Sequence, residues 1–80
     1  MMTPTEALLE AIERAKGQNA LARKIKTLQQ NIWYWANRRP QGVPAEFVLP
    51  IEAATGVSRH DLRPDLYPRE DVIKTEGAAA

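Results

Sequence analysis

The stretch "IKTLQQNIWYW", residues 25–35, decides the fold. It closes on three consecutive aromatics, Trp33, Tyr34 and Trp35. Its Ile, Thr, Trp and Tyr content favours a pleated, half-buried strand. The spacing says otherwise. Strand alternation groups Leu28, Gln30, Ile32 and Tyr34 on one side and Gln29, Asn31, Trp33 and Trp35 on the other, so both sides are mixed. Helical spacing puts Leu28, Ile32 and Trp35 inward and Gln29, Gln30 and Trp33 outward. The stretch therefore predicts a helix over about 28–37, with Trp35 in the core. Trp33 belongs on the outer face in this register, whereas a rotated helix would bury it. Lys26-Thr27 is a short break before that helix.

Moving outward, residues 18–25 form a second helix with Leu21, Ala22 and Ile25 on one face. Further upstream, Thr3-Pro4-Thr5-Glu6 has the form of a capping box with proline at the first helical position. Leu8, Ala11, Ile12 and Ala15 recur at helical spacing, and Gly17 is the expected left-handed stop. Downstream, Arg38-Arg39-Pro40-Gln41-Gly42 reads as a loop. Pro44 opens another helix, ended by Gly56, with Phe47, Ile51 and Ala54 expected on its inner face. Pro50 should kink or split that helix, because proline removes a backbone donor and crowds the preceding turn. Ser58-Arg59-His60-Asp61 has a box-like start for a short last turn, with His60 at the surface. Arg63 and Asp65 are expected to fix residues 63–68 to the body. Residues 69–80 have little to bury and read as a disordered tail.

Eighty residues make one domain at most, of marginal stability. Without cysteine there is no disulfide framework, and one histidine cannot supply a zinc cluster. No metal and no cofactor is expected. No run approaches the roughly 20 apolar residues of a membrane span, and the N-terminus lacks a signal-peptide pattern. A cytoplasmic location is the expectation. No paired acid–base site, Gly-rich phosphate loop or nucleophile beside His60 argues for an enzyme. The net charge of +1 conceals a segregation. Residues 14–44 hold seven bases and no acid, while residues 45–80 hold seven acids and four bases. A basic middle between acidic ends suits a polyanion partner, although a solvated basic face would look the same.

Two helices, a short turn and a basic loop form a helix-turn-helix candidate over residues 18–37. The run from Gln18 to Trp35 resembles the motif of phage Cro and repressor proteins without a gap, with Leu21, Ala22, Ile25, Ile32 and Trp35 at its core positions. "VPAEFVLPIEAATGVSRHDLRPDLYP", residues 43–68, resembles the second half of Cro-like proteins of the YdaS type, which are small prophage-encoded DNA-binding regulators, some described as antitoxins. Two departures stand out. Lys26 occupies the turn position where that family usually has glycine. Leu28 stands where it often has a Ser or Thr cap, so either Thr27 takes over the cap or the cap is lost.

The resemblance implies an all-α, four-to-five-helix lambda-repressor-like domain over residues 3–68. It further implies a sequence-specific transcription regulator that reads a pseudo-palindromic operator in double-stranded DNA as a homodimer. Glutamine can pair with both N6 and N7 of adenine, so Gln29 and Gln30 are the expected base readers, with Trp33 against thymine methyls or the sugar wall. Gln18, Lys26, Thr27, Tyr34, Asn37, Arg38 and Arg39 are the expected backbone contacts, which orient the protein but carry no sequence information. Phe47, Val48, Leu62, Leu66 and Tyr67 are the apolar residues from which a dimer contact would be drawn. The alternative is an antitoxin that acts mainly by contact with a toxin protein.

Overall fold

A computed structural model describes residues 2–68 of the chain. The expected tail, residues 69–80, lies outside them. The described residues are all-α, with five helices and no strand: α1 (Pro4–Ala15), α2 (Gln18–Ile25), α3 (Gln29–Arg38), α4 (Ala45–Thr55) and α5 (Arg59–Leu62). α2 lies at the centre and packs on α1, α3 and α4, while α5 closes against α1 and α4.

The first helix starts as its sequence dictates. The Thr3 hydroxyl accepts from the Glu6 N–H at 3.0 Å, and the Glu6 carboxylate accepts from the Thr3 N–H at 2.9 Å. The stop differs from expectation. Lys16, not Gly17, takes the left-handed conformation (φ 78°, ψ 36°), and the Gly17 N–H closes the turn on the Ile12 carbonyl at 2.9 Å. Gly17 itself lies at φ 121°, ψ 166°, a region essentially reserved for glycine, and starts α2 one residue later.

The core is continuous through the five helices. Ala7, Leu8, Ala11 and Ala15 from α1 meet Leu21, Ala22 and Ile25 from α2, Ile32 and Trp35 from α3, Val48 and Ile51 from α4, and Leu62 from α5. Small side chains at Ala11, Ala15 and Ala22 let the helix backbones approach. Trp35 is buried and packs against Phe47 with ring centroids 4.9 Å apart, tying α3 to α4.

Pro50 does not split α4, which runs unbroken through it. Proline removes the donor to the Glu46 carbonyl, but Glu46 and Pro50 are both exposed, so water can take that bond. The inner face of α4 is Val48 and Ile51 with half-buried Phe47, and Ala54 is exposed rather than buried. α5 is a single turn. Its cap is Ser58, as expected, with the hydroxyl accepting from the His60 N–H at 3.0 Å.

Residues 63–68 are irregular but firmly attached. The Arg63 guanidinium is buried, donates twice to Asp65 at 3.0 and 2.7 Å, and donates to the Val43 carbonyl at 2.7 Å. Those hydrogen bonds, aided by charge, hold the Asp65 carboxyl below its ordinary range and push Arg63 further up, against the opposing pull of burial on each. The anchoring role expected of this pair is what the geometry shows. His60 is half-buried rather than a plain surface residue. Its Nδ1 donates to the Tyr67 carbonyl at 2.8 Å, while the Arg59 guanidinium sits 5.7 Å over the Tyr67 ring. The Arg63 bond to the Val43 carbonyl thus joins residues 63–68 to the segment between α3 and α4.

Candidate nucleic-acid interface

The exposed face of α3 is built from its turn upward. Lys26 lies in the left-handed region (φ 62°, ψ 51°), where glycine is the usual residue. A non-glycine residue pays roughly 1–2 kcal/mol for that conformation. The turn holds because the Thr27 N–H reaches the Ala22 carbonyl at 2.9 Å and the Lys26 N–H reaches Arg23 at 3.3 Å. The Lys26 side chain is left exposed.

The start of α3 corrects one expectation and decides between two others. The helix begins at Gln29, with Leu28 as an extended N-cap whose side chain caps nothing. Leu28 does not face the core; it is 62% exposed. Thr27 does not take over the cap, because its hydroxyl accepts from the Asn31 side-chain amide at 2.9 Å. The physical reason is the extended Leu28 backbone, which places it before the first helical turn, so helical spacing back from Ile32 does not apply to it.

Beyond Leu28 the faces separate as the spacing predicts. Ile32 and Trp35 are buried, while Gln29, Gln30, Trp33 and Tyr34 are exposed. Trp33, 45% exposed, lies on the outer face, which settles its register. Its ring carries the Arg38 guanidinium 6.0 Å from the centroid, and its carbonyl accepts from the Asn37 side chain at 2.9 Å. Tyr34 is exposed on the neighbouring strip of the same helix. Arg39 is half-buried, and its Nε donates to the Gly42 carbonyl at 2.7 Å, closing the loop after α3.

One link was not legible from composition. The Gln29 side-chain amide donates to the Gln18 side-chain oxygen, joining the first residue of α3 to the first residue of α2. The only signal for it in the sequence is the helix-turn-helix register itself. This link brings Gln18 and Gln29 together at the starts of α2 and α3, with Gln30 next to Gln29, while Lys26 and Thr27 lie in the turn after α2, and Trp33, Tyr34, Asn37, Arg38 and Arg39 follow along α3 and into its loop.

Electrostatics favour an anion here. α2 and α3 both lack a side-chain cap and an acid in the first turn. Their first N–H groups carry partial positive charge and lack side-chain partners. Among the described residues the ion pairs are Arg14–Glu10, Arg59–Glu52 and Arg63–Asp65, so Lys16, Arg23, Lys24, Lys26 and Arg38 have no carboxylate partner there. Among the same residues no cluster of His, Asp and Glu is placed to hold a metal ion, and no helix is long and apolar enough to cross a membrane.

Of the apolar residues considered for a dimer contact, Val48 and Leu62 are fully buried, Phe47 and Tyr67 pack partly against the core, and Leu66 is exposed. Leu49, on the outer side of α4, is exposed as well.

These features define a small all-helical protein in which a short turn joins α2 to α3. The model of one family, described as bacterial toxin YdaS, matches residues 8–71, most of the chain, and the chain belongs to that family. Comparisons with curated proteins and with solved structures gave no significant match.

Proposed function

We propose that the protein is a sequence-specific DNA-binding regulator of transcription, with α3 entering the major groove of double-stranded operator DNA. The observation that carries this is the Gln29–Gln18 link on an exposed, acid-free face. A side-chain amide tethered on one N–H keeps its oxygen and its second N–H, the two groups needed for adenine N6 and N7. Gln30 is the second reader and Trp33 lines the groove beside them. Gln18 spans protein and phosphate at the start of α2, and Lys26, Thr27, Tyr34, Asn37, Arg38 and Arg39 supply the remaining backbone contacts. Arg38 approaches the phosphates with its guanidinium held over Trp33.

A single domain of this size covers one half-site. A homodimer on a pseudo-palindrome, with half-sites about one helical turn apart, would supply the second. Sedimentation with operator present tests this, and monomers at saturation would reject it.

The test of the reading is a selection of bound DNA sequences with wild type, Gln29→Ala, Gln30→Ala and Arg38→Ala. Each glutamine variant should relax preference at one position, at about 1–3 kcal/mol. Gln18→Ala should relax the same position as Gln29→Ala, because it removes the tether. Arg38→Ala should weaken all sequences alike and reduce the salt slope by about one. Unchanged preference in both glutamine variants would reject this recognition face.

The toxin in the family's description favours a second reading, in which the chain works within a toxin–antitoxin pair by protein contact and binds DNA only secondarily. A neighbouring reading frame whose product co-purifies with the chain and whose effect on growth it changes would support that reading.

A further inference from the structure

We propose that Leu28 is a base-reading residue, and that it recognises the 5-methyl group of a thymine in each half-site. This rests on the reading of α3 as a recognition helix. Among the described residues Leu28 is the most exposed of the large apolar side chains, at 62%, and it stands at the N-cap of α3. In that position it forgoes a side-chain cap, which Ser, Thr, Asp or Asn would provide at a gain of about 1 kcal/mol. Its backbone does what a cap requires, since its carbonyl accepts from the Asn31 and Ile32 N–H groups at 3.0 and 3.4 Å. The side chain caps nothing and leaves most of its apolar surface in water.

The surroundings restrict what can cover it. Leu28 lies between exposed Lys26 and exposed Gln29, in a segment without an acid from Arg14 to Pro44. The flanks suit a polyanion, and a leucine cannot exchange hydrogen bonds with it. Residues at the N-terminus of a recognition helix are those that reach base edges. On the major-groove edges of the four bases, the thymine methyl is the apolar group. The Gln29–Gln18 tether fixes the residue next to Leu28, so the leucine is presented at a constant place relative to the adenine reader. An operator half-site with a thymine next to, or opposite, the position read by Gln29 follows.

The experiment takes the operator selected by the wild-type chain and replaces each thymine in turn with deoxyuridine, which removes only the methyl. Wild type should lose about fourfold in affinity at one position per half-site, the equivalent of burying one methyl-sized group. Leu28→Ala should bind more weakly than wild type and be indifferent to deoxyuridine at that position. Leu28→Ser restores a side-chain cap. It should melt at or above the wild-type temperature and show the same indifference, which separates the loss from any loss of folding.

Wild-type binding that ignores deoxyuridine at every position overturns the inference while leaving the recognition helix standing. Sensitivity that survives in both leucine variants overturns it too and moves the methyl contact to another residue, with Trp33 the first to test. A change in sedimentation of Leu28→Ala without a change in deoxyuridine sensitivity places Leu28 in a contact between copies and also overturns it. A wild-type selection that enriches no sequence overturns the recognition-helix reading itself.

Discussion

Gly42→Ala tests the joint that holds α3 to the rest of the domain. Gly42 lies at φ 109°, where an L side chain is strained. A Cβ there would stand 2.6 Å from the Leu62 carbonyl oxygen, 2.8 Å from Arg63 Cδ and 3.1 Å from Pro4 Cβ. The two nearest have little room to yield. Leu62 is fully buried, and the Arg63 guanidinium is held by Asp65 and by the Val43 carbonyl. Gly17 is the internal control. It lies at φ 121°, but a Cβ there meets nothing within 4 Å. Gly17→Ala is therefore expected to cost backbone strain alone, about 1–3 kcal/mol. Gly42→Ala adds steric overlap, about 1–3 kcal/mol more, out of a total stability of roughly 4–12 kcal/mol for a chain this size. Urea unfolding followed by far-UV circular dichroism measures both, through the shift in midpoint at constant m. Equal destabilisation by the two alanines, or a larger loss at Gly17, would refute the claim that the Gly42 contact positions the loop.

Lys26→Gly removes the cost of a left-handed lysine and should raise stability by about 1 kcal/mol, less a few tenths for the freer unfolded chain, read as a higher urea midpoint. Trp35→Ala is expected to cost about 3–5 kcal/mol, because the ring is buried against Phe47. Trp33→Ala should cost far less, and similar losses from the two would contradict the register of α3. Asp65→Asn gives a pH signature. The Asp65 carboxyl is held low by the Arg63 hydrogen bonds, so its contribution is fully present above its unfolded value of about 3.9. That contribution is lost as pH falls through the lower folded value. The midpoint gap between wild type and Asp65→Asn should therefore be constant near neutrality and close below about pH 4; a gap unaffected by acid would mean the pair does not stabilise the fold.

The features that proved legible in the sequence are those decided within one turn of helix. Thr3 and Glu6 stand three residues apart and cap each other whatever the rest of the chain does. Leu21, Ala22 and Ile25, and then Ile32 and Trp35, share a face because the helix repeats every 3.6 residues, so the strand-like composition of residues 25–35 could not override their spacing. The outward position of Trp33 follows from the same period. The misreadings fall where local rules compete. Gly17 is the residue suited to positive φ, yet the chain places both Lys16 and Gly17 there. Leu28 has helical spacing to Ile32 yet lies before the helix begins.

What only the tertiary structure decided are contacts between residues distant in the chain. The Gln18–Gln29 link depends on how α2 and α3 cross, and the Arg63–Val43 bond spans 20 residues. The need for glycine at 42 arises from the Leu62 carbonyl, which no local pattern around Gly42 announces. The sequence by itself determined the helices and their inward faces, because periodicity and capping are short-range. The tertiary structure decided which outward residues stand together as one surface, because a site is made of neighbours in space, and those depend on the crossing of helices and the closure of loops.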